Sequence, residues 1–373
     1  MLGESNIIPE QYRMKISSLG KFLDQPLLSN TLAHKMPLIL TTAALGFGIK
    51  DTLQQPQNER KKRAVKNTVI LSAITLASLL GAKLIKIKGK SLIETVPREK
   101  ILLAQQKAIE EFKNQNSKLC ENTVRILDKA KEKMLSLKET DTLLAAVKDK
   151  KGTEKITNTL FGNKEDITSK KIVEEISGLS IMGFIPVASG VAGGVAADKL
   201  TNESSGEKTK NKIKEGIYQF FANIFLCNVG AGTFLYTAEK LNEKGIIKNL
   251  TPLKKTGIIL SGILSVGVIG GSRIANIIGN KFVNPVIDKC GKNSAKQTTK
   301  NEERKPEALD IALHTDDIAT AGVLSGVKWI EPLLPVMYLV SGYRTAIGYR
   351  NGDNNCACAK AQKLDKAQNH NHN

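Results

Sequence analysis

Cysteine and histidine are scarce in this chain, and their scarcity limits the chemistry that can be expected of it. The 373 residues include five cysteines and four histidines. Five cysteines over this length give no disulfide framework, and four histidines leave few candidates for acid–base catalysis. The sequence also lacks a Gly-rich phosphate loop, a dinucleotide fingerprint, a nucleophile elbow and a His-Glu-x-x-His motif. We therefore expect no catalytic residues and no cofactor, and we predict that the protein is not an enzyme.

Aromatic residues are also few, at 5% of the chain, whereas basic residues are abundant. Lysine and arginine total 55 against 36 acidic residues, which gives a net charge of +19. The basic residues lie between apolar runs, and no basic surface with interleaved aromatic residues is evident. We therefore expect no nucleic-acid partner and predict that the basic residues meet the anionic headgroups of membrane lipid.

Long uncharged runs are the dominant feature of the sequence. A helix needs about 20 apolar residues to cross the hydrocarbon layer of a bilayer. Two uncharged runs reach that length, Ile176–Ala197 with 22 residues and Gly216–Ala238 with 23. Two others are short, Met36–Ile49 with 14 residues and Asn67–Ala82 with 16.

Two further runs are long but contain charged residues. Thr256–Asn280 is interrupted by Arg273, and Ile318–Tyr343 is interrupted by Lys328 and Glu331. Glycines spaced by four, which let helices approach closely in lipid, recur in several runs. We therefore predict an all-α, multi-pass membrane protein of four to six hydrophobic helices, with buried helices of a soluble all-α protein as the alternative.

The order of apolar and charged segments predicts a chain built of hydrophobic helical hairpins around a soluble helical insert. Basic residues flank Asn67–Ala82 on both sides, so the orientation in the membrane is undetermined. The predicted segments are an amphipathic lead-in (1–35), a first hydrophobic hairpin (36–87), a soluble amphipathic helical insert (91–175), a second hydrophobic hairpin (176–238), a basic linker (239–255), a third hydrophobic hairpin with a long polar connection (256–350) and a disordered tail (351–373).

The insert has apolar residues at helical spacing, among them Ile109, Phe112, Leu119 and Ile126. This pattern fits helices that pack on themselves, a coiled-coil or partner-docking arm, or a helix lying on lipid. A weak internal repeat also relates Leu45–Ile70 to Ala192–Tyr218, in which Asp51 and Asp198 occupy corresponding positions at the end of a helix.

Four charged residues near or within the third hairpin form a possible intramembrane polar cluster: Arg273, Lys328, Glu331 and Arg344. Pro332 and Pro335 must interrupt the helix there, which suits either a broken helix lining a cavity or a short re-entrant piece at the interface. A second weak candidate, for metal binding, is the set Cys356, Cys358, His370 and His372 in the tail, whose spacing matches no familiar zinc pattern.

These observations favour a membrane protein with a structural, anchoring or interaction role at an anionic membrane. A protein partner would bind through residues 91–175. The alternative is a small-solute or ion transporter or channel with its broken helix near Pro332 and Pro335.

Overall fold

The computed structural model describes residues 18–87, 90–162, 169–247, 250, 252–271, 274, 277–278, 281, 285, 315–324 and 328–348. Within these residues the regular secondary structure is helical apart from one two-stranded antiparallel hairpin, β1 (Lys86–Ile87) with β2 (Lys90–Ser91). A short helical segment at 18–23 comes first. The longer α-helices that follow it are α1 (Pro26–Leu53), α2 (Arg60–Leu84), α3 (Arg98–Gln115), α4 (Glu121–Ala130), α5 (Leu137–Val147), α6 (Thr153–Phe161), α7 (Ser169–Leu200), α8 (Gly206–Tyr218), α9 (Leu226–Glu243), α10 (Pro252–Gly262), α11 (Thr315–Leu324) and α12 (Leu334–Ile347).

Four helical stretches are long and apolar enough to cross a membrane. They are Pro26–Leu53, Arg60–Leu84, Lys171–Leu200 and Gly206–Glu243, the last formed by α8, a π-helical segment at Gln219–Phe225 and α9. This confirms the predicted all-α fold and its hydrophobic helices. The two runs that are short in sequence, at 14 and 16 uncharged residues, become helices of 28 and 25 residues because the helices continue into their charged flanks.

The last part of the described chain is less regular. Helix α10 passes into a second π-helical segment, Ile263–Gly271, and Arg273 lies outside the described residues. In the run Ile318–Tyr343, α11 ends at Leu324 and a 3₁₀ segment at Lys328–Leu333 leads into α12. Pro332 lies in the 3₁₀ segment and Pro335 in the first turn of α12, where a missing N–H group is tolerated.

Helix α7 lies between α2 and α12, and its glycines allow both neighbours to approach closely. A Cβ atom built on Gly190 would lie 2.1 Å from the carbonyl oxygen of Gly342 on α12. One built on Gly193 would lie 2.8 Å from the Cβ of Ala73 on α2. The backbones can therefore touch only because both α7 positions lack a side chain.

The insert helices α3 to α6 enclose a hydrophobic core of their own. Ile109, Leu127, Leu143 and Ile156 are fully or almost fully buried in it. The insert is attached to the start of α1 by Gln25, whose amide donates to the Leu135 carbonyl at 2.9 Å and accepts from the Leu135 N–H at 2.8 Å. The core thus depends on packing among four short helices. Besides Gln25, Asn30 of α1 joins the insert to the apolar helices by accepting from the N–H of Val96 at 3.0 Å.

The long helices have two distinct ends. At one, which we call the insert end, α1 begins beside the insert and α2 ends at the short strands. At the other, which we call the loop end, the loops 54–59 and 201–205 connect α1 to α2 and α7 to α8, and α12 ends beside them at Gly348. Since α1 has 28 residues, the two ends lie about 40 Å apart along that helix.

Candidate functional site

The first polar cluster at the loop end is centred on the carboxylate of Asp51. Arg63 donates to both of its oxygens, at 2.6 and 3.0 Å, and Asn67 donates at 2.8 Å. Arg63 also donates to the hydroxyl of Tyr343 at 3.1 Å. That hydroxyl lies 2.9 Å from Asp51 Oδ2 and 2.6 Å from Asn67 Oδ1. The cluster therefore joins α1, α2 and α12 through a shared set of hydrogen bonds.

Local structure explains why these residues meet. Asp51 is in the last turn of α1 and Arg63 in the first turn of α2, so the six-residue loop 54–59 brings them opposite one another. Asn67, one turn further along α2, also donates to the carbonyl of Gly48 at 3.2 Å and to the hydroxyl of Thr52 at 2.9 Å. The amide thereby extends the contact between α1 and α2 into the apolar part of the helix pair.

The second polar cluster joins the end of α7 to the starts of α2 and α8. Asp198 binds Lys66 of α2 at 3.0 Å and Lys212 of α8 at 3.1 Å. Lys66 also reaches Glu203 in the loop 201–205, at 2.5 Å. Both Asp198 and Lys212 are buried, so each needs the opposite charge of the other.

Glu203 is the most highly coordinated carboxylate of this cluster. It accepts hydrogen bonds from Lys62, Lys66 and Lys208, and these three ammonium groups hold the pKa of the Glu203 carboxyl well below its usual range. The loop delivers Glu203 to this place through Asn202, which adopts a left-handed backbone conformation with φ 55°. Ser205 then caps α8 by accepting from the N–H of Lys208 at 3.1 Å.

A small cavity of about 150 Å³ opens between this cluster and the end of α12. Basic groups dominate its polar lining. The residues that line it are Arg63, Lys66, Ile70, Asp198, Lys208, Asn211, Lys212, Ala346, Ile347 and Gly348. We call this the basic pocket.

A column of polar side chains runs down α8 and α9 away from the basic pocket. Gln219 donates to the carboxylate of Glu215 at 2.7 Å, and Asn223 donates to Gln219 at 2.7 Å. Further along, Asn228 donates to Ser180 of α7 at 3.1 Å. Glu215, Gln219 and Asn228 are buried, and the π-helical segment lies in the middle of the column. A column of this kind is unusual in an apolar helix, and π-helical segments often occur at functional sites.

Sequence reasoning did not single out these residues as a site. It noted Asp51 and Asp198 only through the repeat between two segments, and the structure places both at helix ends with a basic partner in the next helix. The polar column had a readable signal in the spacing of Glu215, Gln219 and Asn223, which lie four residues apart on one helix face.

Of the charged residues predicted to cluster in the third hairpin, Glu331 and Arg344 lie apart along the chain's last described helix and the segment before it. Arg344 is buried near the loop end of α12, whereas Glu331 is partly buried in the 3₁₀ segment before that helix. The helix from Leu334 to Arg344 rises about 15 Å, which separates the two along its axis. Lys328 begins the 3₁₀ segment, and Arg273 lies outside the described residues.

The tail candidates for metal binding, Cys356, Cys358, His370 and His372, also lie outside the described residues. In the part of the chain that the structure describes, no group of three or more His, Cys, Asp or Glu side chains is placed to hold a metal ion.

Comparison of this chain with protein-family models, with curated protein sequences and with solved structures gives no match.

Proposed function

We propose that this chain is a multi-pass integral membrane protein with an anchoring or organising role, which holds the helical insert at one membrane surface and a basic polar cluster at the other. The observation that carries the proposal is the outward face of α1 and α2. Leu45 is 62% exposed and Leu76 is 59% exposed, and Leu38, Ile49 and Leu80 are similarly open. An apolar face of this extent is stable against lipid and costly against water.

The placement of charge supports the same conclusion. The ionic residues of α2 and α7 lie in the first two turns or the last turn of these helices, where a membrane-spanning helix meets the headgroups. Lys50 and Asp51 likewise lie in the last turn of α1. The apolar groove between α1 and α2, of about 480 Å³, is lined by Ala44, Leu71 and Leu79 among others and suits acyl chains.

A cysteine-labelling experiment tests this arrangement. In a chain with its other cysteines replaced, Cys120 of the insert is compared with Gln57→Cys and Ser204→Cys in the two loops, using a membrane-impermeant maleimide on oriented vesicles. We expect the two loop positions to label from the same side, opposite to Cys120. Labelling of all three from one side would contradict the multi-pass arrangement, and recovery of the protein in the soluble fraction would contradict membrane insertion.

The insert is the part that we propose for protein binding. Its apolar core is closed, yet Leu103 on α3 is 67% exposed, and Met134 and Leu137 are also open. A photo-crosslinking residue placed at 103 in the full chain should give a discrete adduct in native membranes, whereas one at the exposed position 148 should not. Equal crosslinking at both positions would argue against a specific surface.

A second candidate function is ion or proton conduction, and the polar column favours it. From Glu215 to Asn228 the column extends about 20 Å along the helix, against a hydrocarbon layer of about 30 Å. In liposomes containing a pH-sensitive dye, Glu215→Gln should abolish any flux that the unmodified protein supports, and Glu243→Gln at the exposed end of α9 should preserve it. No flux above that of empty liposomes would leave anchoring as the function.

A further inference from the structure

We propose that the basic pocket binds a phosphate group, supplied by an anionic phospholipid headgroup or by a free phosphate. The proposal rests on the proposed membrane location, because the pocket lies at the loop end of helices long and apolar enough to span a bilayer. It adds to that function a defined ligand and a defined site.

The charges around the pocket do not balance internally. Five basic side chains, those of Lys62, Arg63, Lys66, Lys208 and Lys212, share three carboxylates, those of Asp51, Asp198 and Glu203. The two clusters therefore have an excess of two positive charges beside the cavity. A phosphate monoester, with about two negative charges, would neutralise this excess, and a diester, with one, would halve it.

The excess of positive charge matters because part of it is buried. Lys212 is only 4% exposed, so water screens its charge poorly, and the carboxylate with which it pairs, that of Asp198, is shared with Lys66. An anion entering the pocket would add a second counter-charge for Lys212 and a third for Lys66. Charge-assisted hydrogen bonds of this kind are stronger than neutral ones.

Helix geometry adds to the attraction. Arg63 and Lys66 lie in the first two turns of α2, and Lys208 and Lys212 in the first two turns of α8. The positive ends of two helix dipoles therefore face the region from which the basic side chains extend. Asn211, on the same turn of α8, lines the pocket and supplies a further amide donor.

The size and place of the pocket fit a headgroup phosphate. A cavity of about 150 Å³ accommodates one phosphate group and not a nucleotide. At the same end of the protein, Leu53 and Leu200 are exposed at the ends of α1 and α7, where acyl chains of a bound lipid could lie. A phosphate bound here would lie between α2, α8 and α12 and tie the three helices together.

Lys208→Gln and Lys199→Gln form a matched pair of test variants. Both remove one positive charge at the loop end, but Lys208 lines the pocket and Lys199, exposed on α7, does not. Lys208→Gln is expected to fold, because Glu203 keeps Lys62 and Lys66 as partners. The full chain is held in a non-ionic detergent at constant ionic strength. It is titrated with inorganic phosphate alone and, separately, with mixed micelles that contain phosphatidylglycerol or phosphatidylcholine. The midpoint of its thermal unfolding is measured at each concentration.

We expect saturable stabilisation whose apparent affinity falls about fivefold in Lys208→Gln and is unchanged in Lys199→Gln. Stabilisation by phosphatidylglycerol and not by inorganic phosphate identifies a headgroup site, and stabilisation by inorganic phosphate identifies a free-phosphate site. No saturable stabilisation by either, or an equal loss in both variants, would overturn the proposal. Membrane fractionation of the same proteins is scored separately, so failure of the phosphate site and failure of the membrane assignment give different results.

Discussion

The hydroxyl of Tyr343 lies 2.9 Å from the carboxylate of Asp51, although 292 residues separate them in the sequence. Tyr343 is buried on α12, and its ring also packs edge-on against Phe47 of α1, with ring centroids 4.8 Å apart. The final described helix is therefore held against the first one by both a polar and an aromatic contact. These two contacts place α12 beside α1 at the loop end.

Removing this hydroxyl should destabilise the protein measurably. In Tyr343→Phe the ring keeps its packing, but Asp51, Asn67 and Arg63 each lose one hydrogen-bonding neighbour in a site with little access to water. We expect the free energy of unfolding to fall by about 1–2 kcal/mol, measured by denaturant or thermal unfolding in detergent micelles.

The matched control is Tyr236→Phe. Tyr236 lies on α9 and is 41% exposed, so the same chemical change there should alter stability by no more than about 0.5 kcal/mol. If both substitutions have the same small effect, the network around Asp51 contributes little to the fold.

Helix content was the part of the fold that the sequence could predict. Uncharged runs mark where a helix can be surrounded by lipid or by other apolar helices, and these runs became α1, α2, α7 and the α8–α9 stretch. The ends could not be predicted, because Arg60–Lys66 reads as a basic loop. In the structure it is helical, since Arg63 and Lys66 find carboxylates on other helices.

The polar clusters were unpredictable for a related reason. The pair of Lys66 and Asp198 joins residues 132 positions apart, and nothing local in the sequence specifies which lysine meets which acid. Charges inside apolar runs, such as Glu331, attract attention in a sequence because burial there is costly. Charges at the ends of runs look solvated, yet Lys212 is buried when three helix ends meet.

Neutralising Asp198 should be among the most damaging single substitutions at the loop end. Asp198→Asn leaves Lys212 buried without its carboxylate and takes one of two acidic partners from Lys66. Breaking one side of a buried ion pair costs about 3–5 kcal/mol, and we expect a loss toward the lower end, measured by unfolding in micelles.

The double variant Asp198→Asn, Lys212→Met tests whether the loss of stability comes from the uncompensated charge of Lys212. Because it removes the uncompensated charge, it should recover much of the lost stability. Glu207→Gln, on an exposed side chain of α8, serves as the control for removing one negative charge and should change stability by no more than about 0.5 kcal/mol. Failure of the double variant to recover would indicate that shape and not charge governs this site.

The insert should lose stability in acid because of Glu139. Its carboxylate accepts from Lys129 and completes a capping box with Ser136 at the start of α5, and these contacts lower the pKa of Glu139 from 4.5 to about 2. The unfolded chain therefore binds the proton more readily than the folded chain. Stability from this group is fully present above pH 4.5 and declines as pH falls toward 2, which urea unfolding of residues 91–175 followed by circular dichroism should show.

Glu139→Gln isolates this contribution. The variant should be less stable than the unmodified insert at pH 7 and should lose less stability between pH 5 and 2. The free energies of unfolding of the two proteins should therefore approach each other at low pH. Glu132→Gln, on an exposed side chain outside a helix, should retain the acid dependence of the unmodified insert. An unchanged slope in Glu139→Gln would assign the acid sensitivity to other carboxylates.

Close backbone packing between α7 and α12 gives the last prediction. Gly190→Ala places a Cβ atom where the carbonyl oxygen of Gly342 lies 2.1 Å away, and neither helix backbone can yield without moving the other. We expect a loss of about 1–3 kcal/mol in the free energy of unfolding, because overpacking at a backbone contact cannot be relieved by a change of rotamer.

The control uses the same substitution at a helical glycine with open surroundings. Gly46 lies on α1, and a Cβ built there meets no atom within 4 Å. Gly46→Ala removes backbone freedom from the unfolded chain without a clash, so it should be neutral or stabilise the protein by up to about 1 kcal/mol. Opposite signs for the two alanines would establish that α12 is seated on α7 through its glycines, and a stable Gly190→Ala protein would show that the two helices can separate without loss.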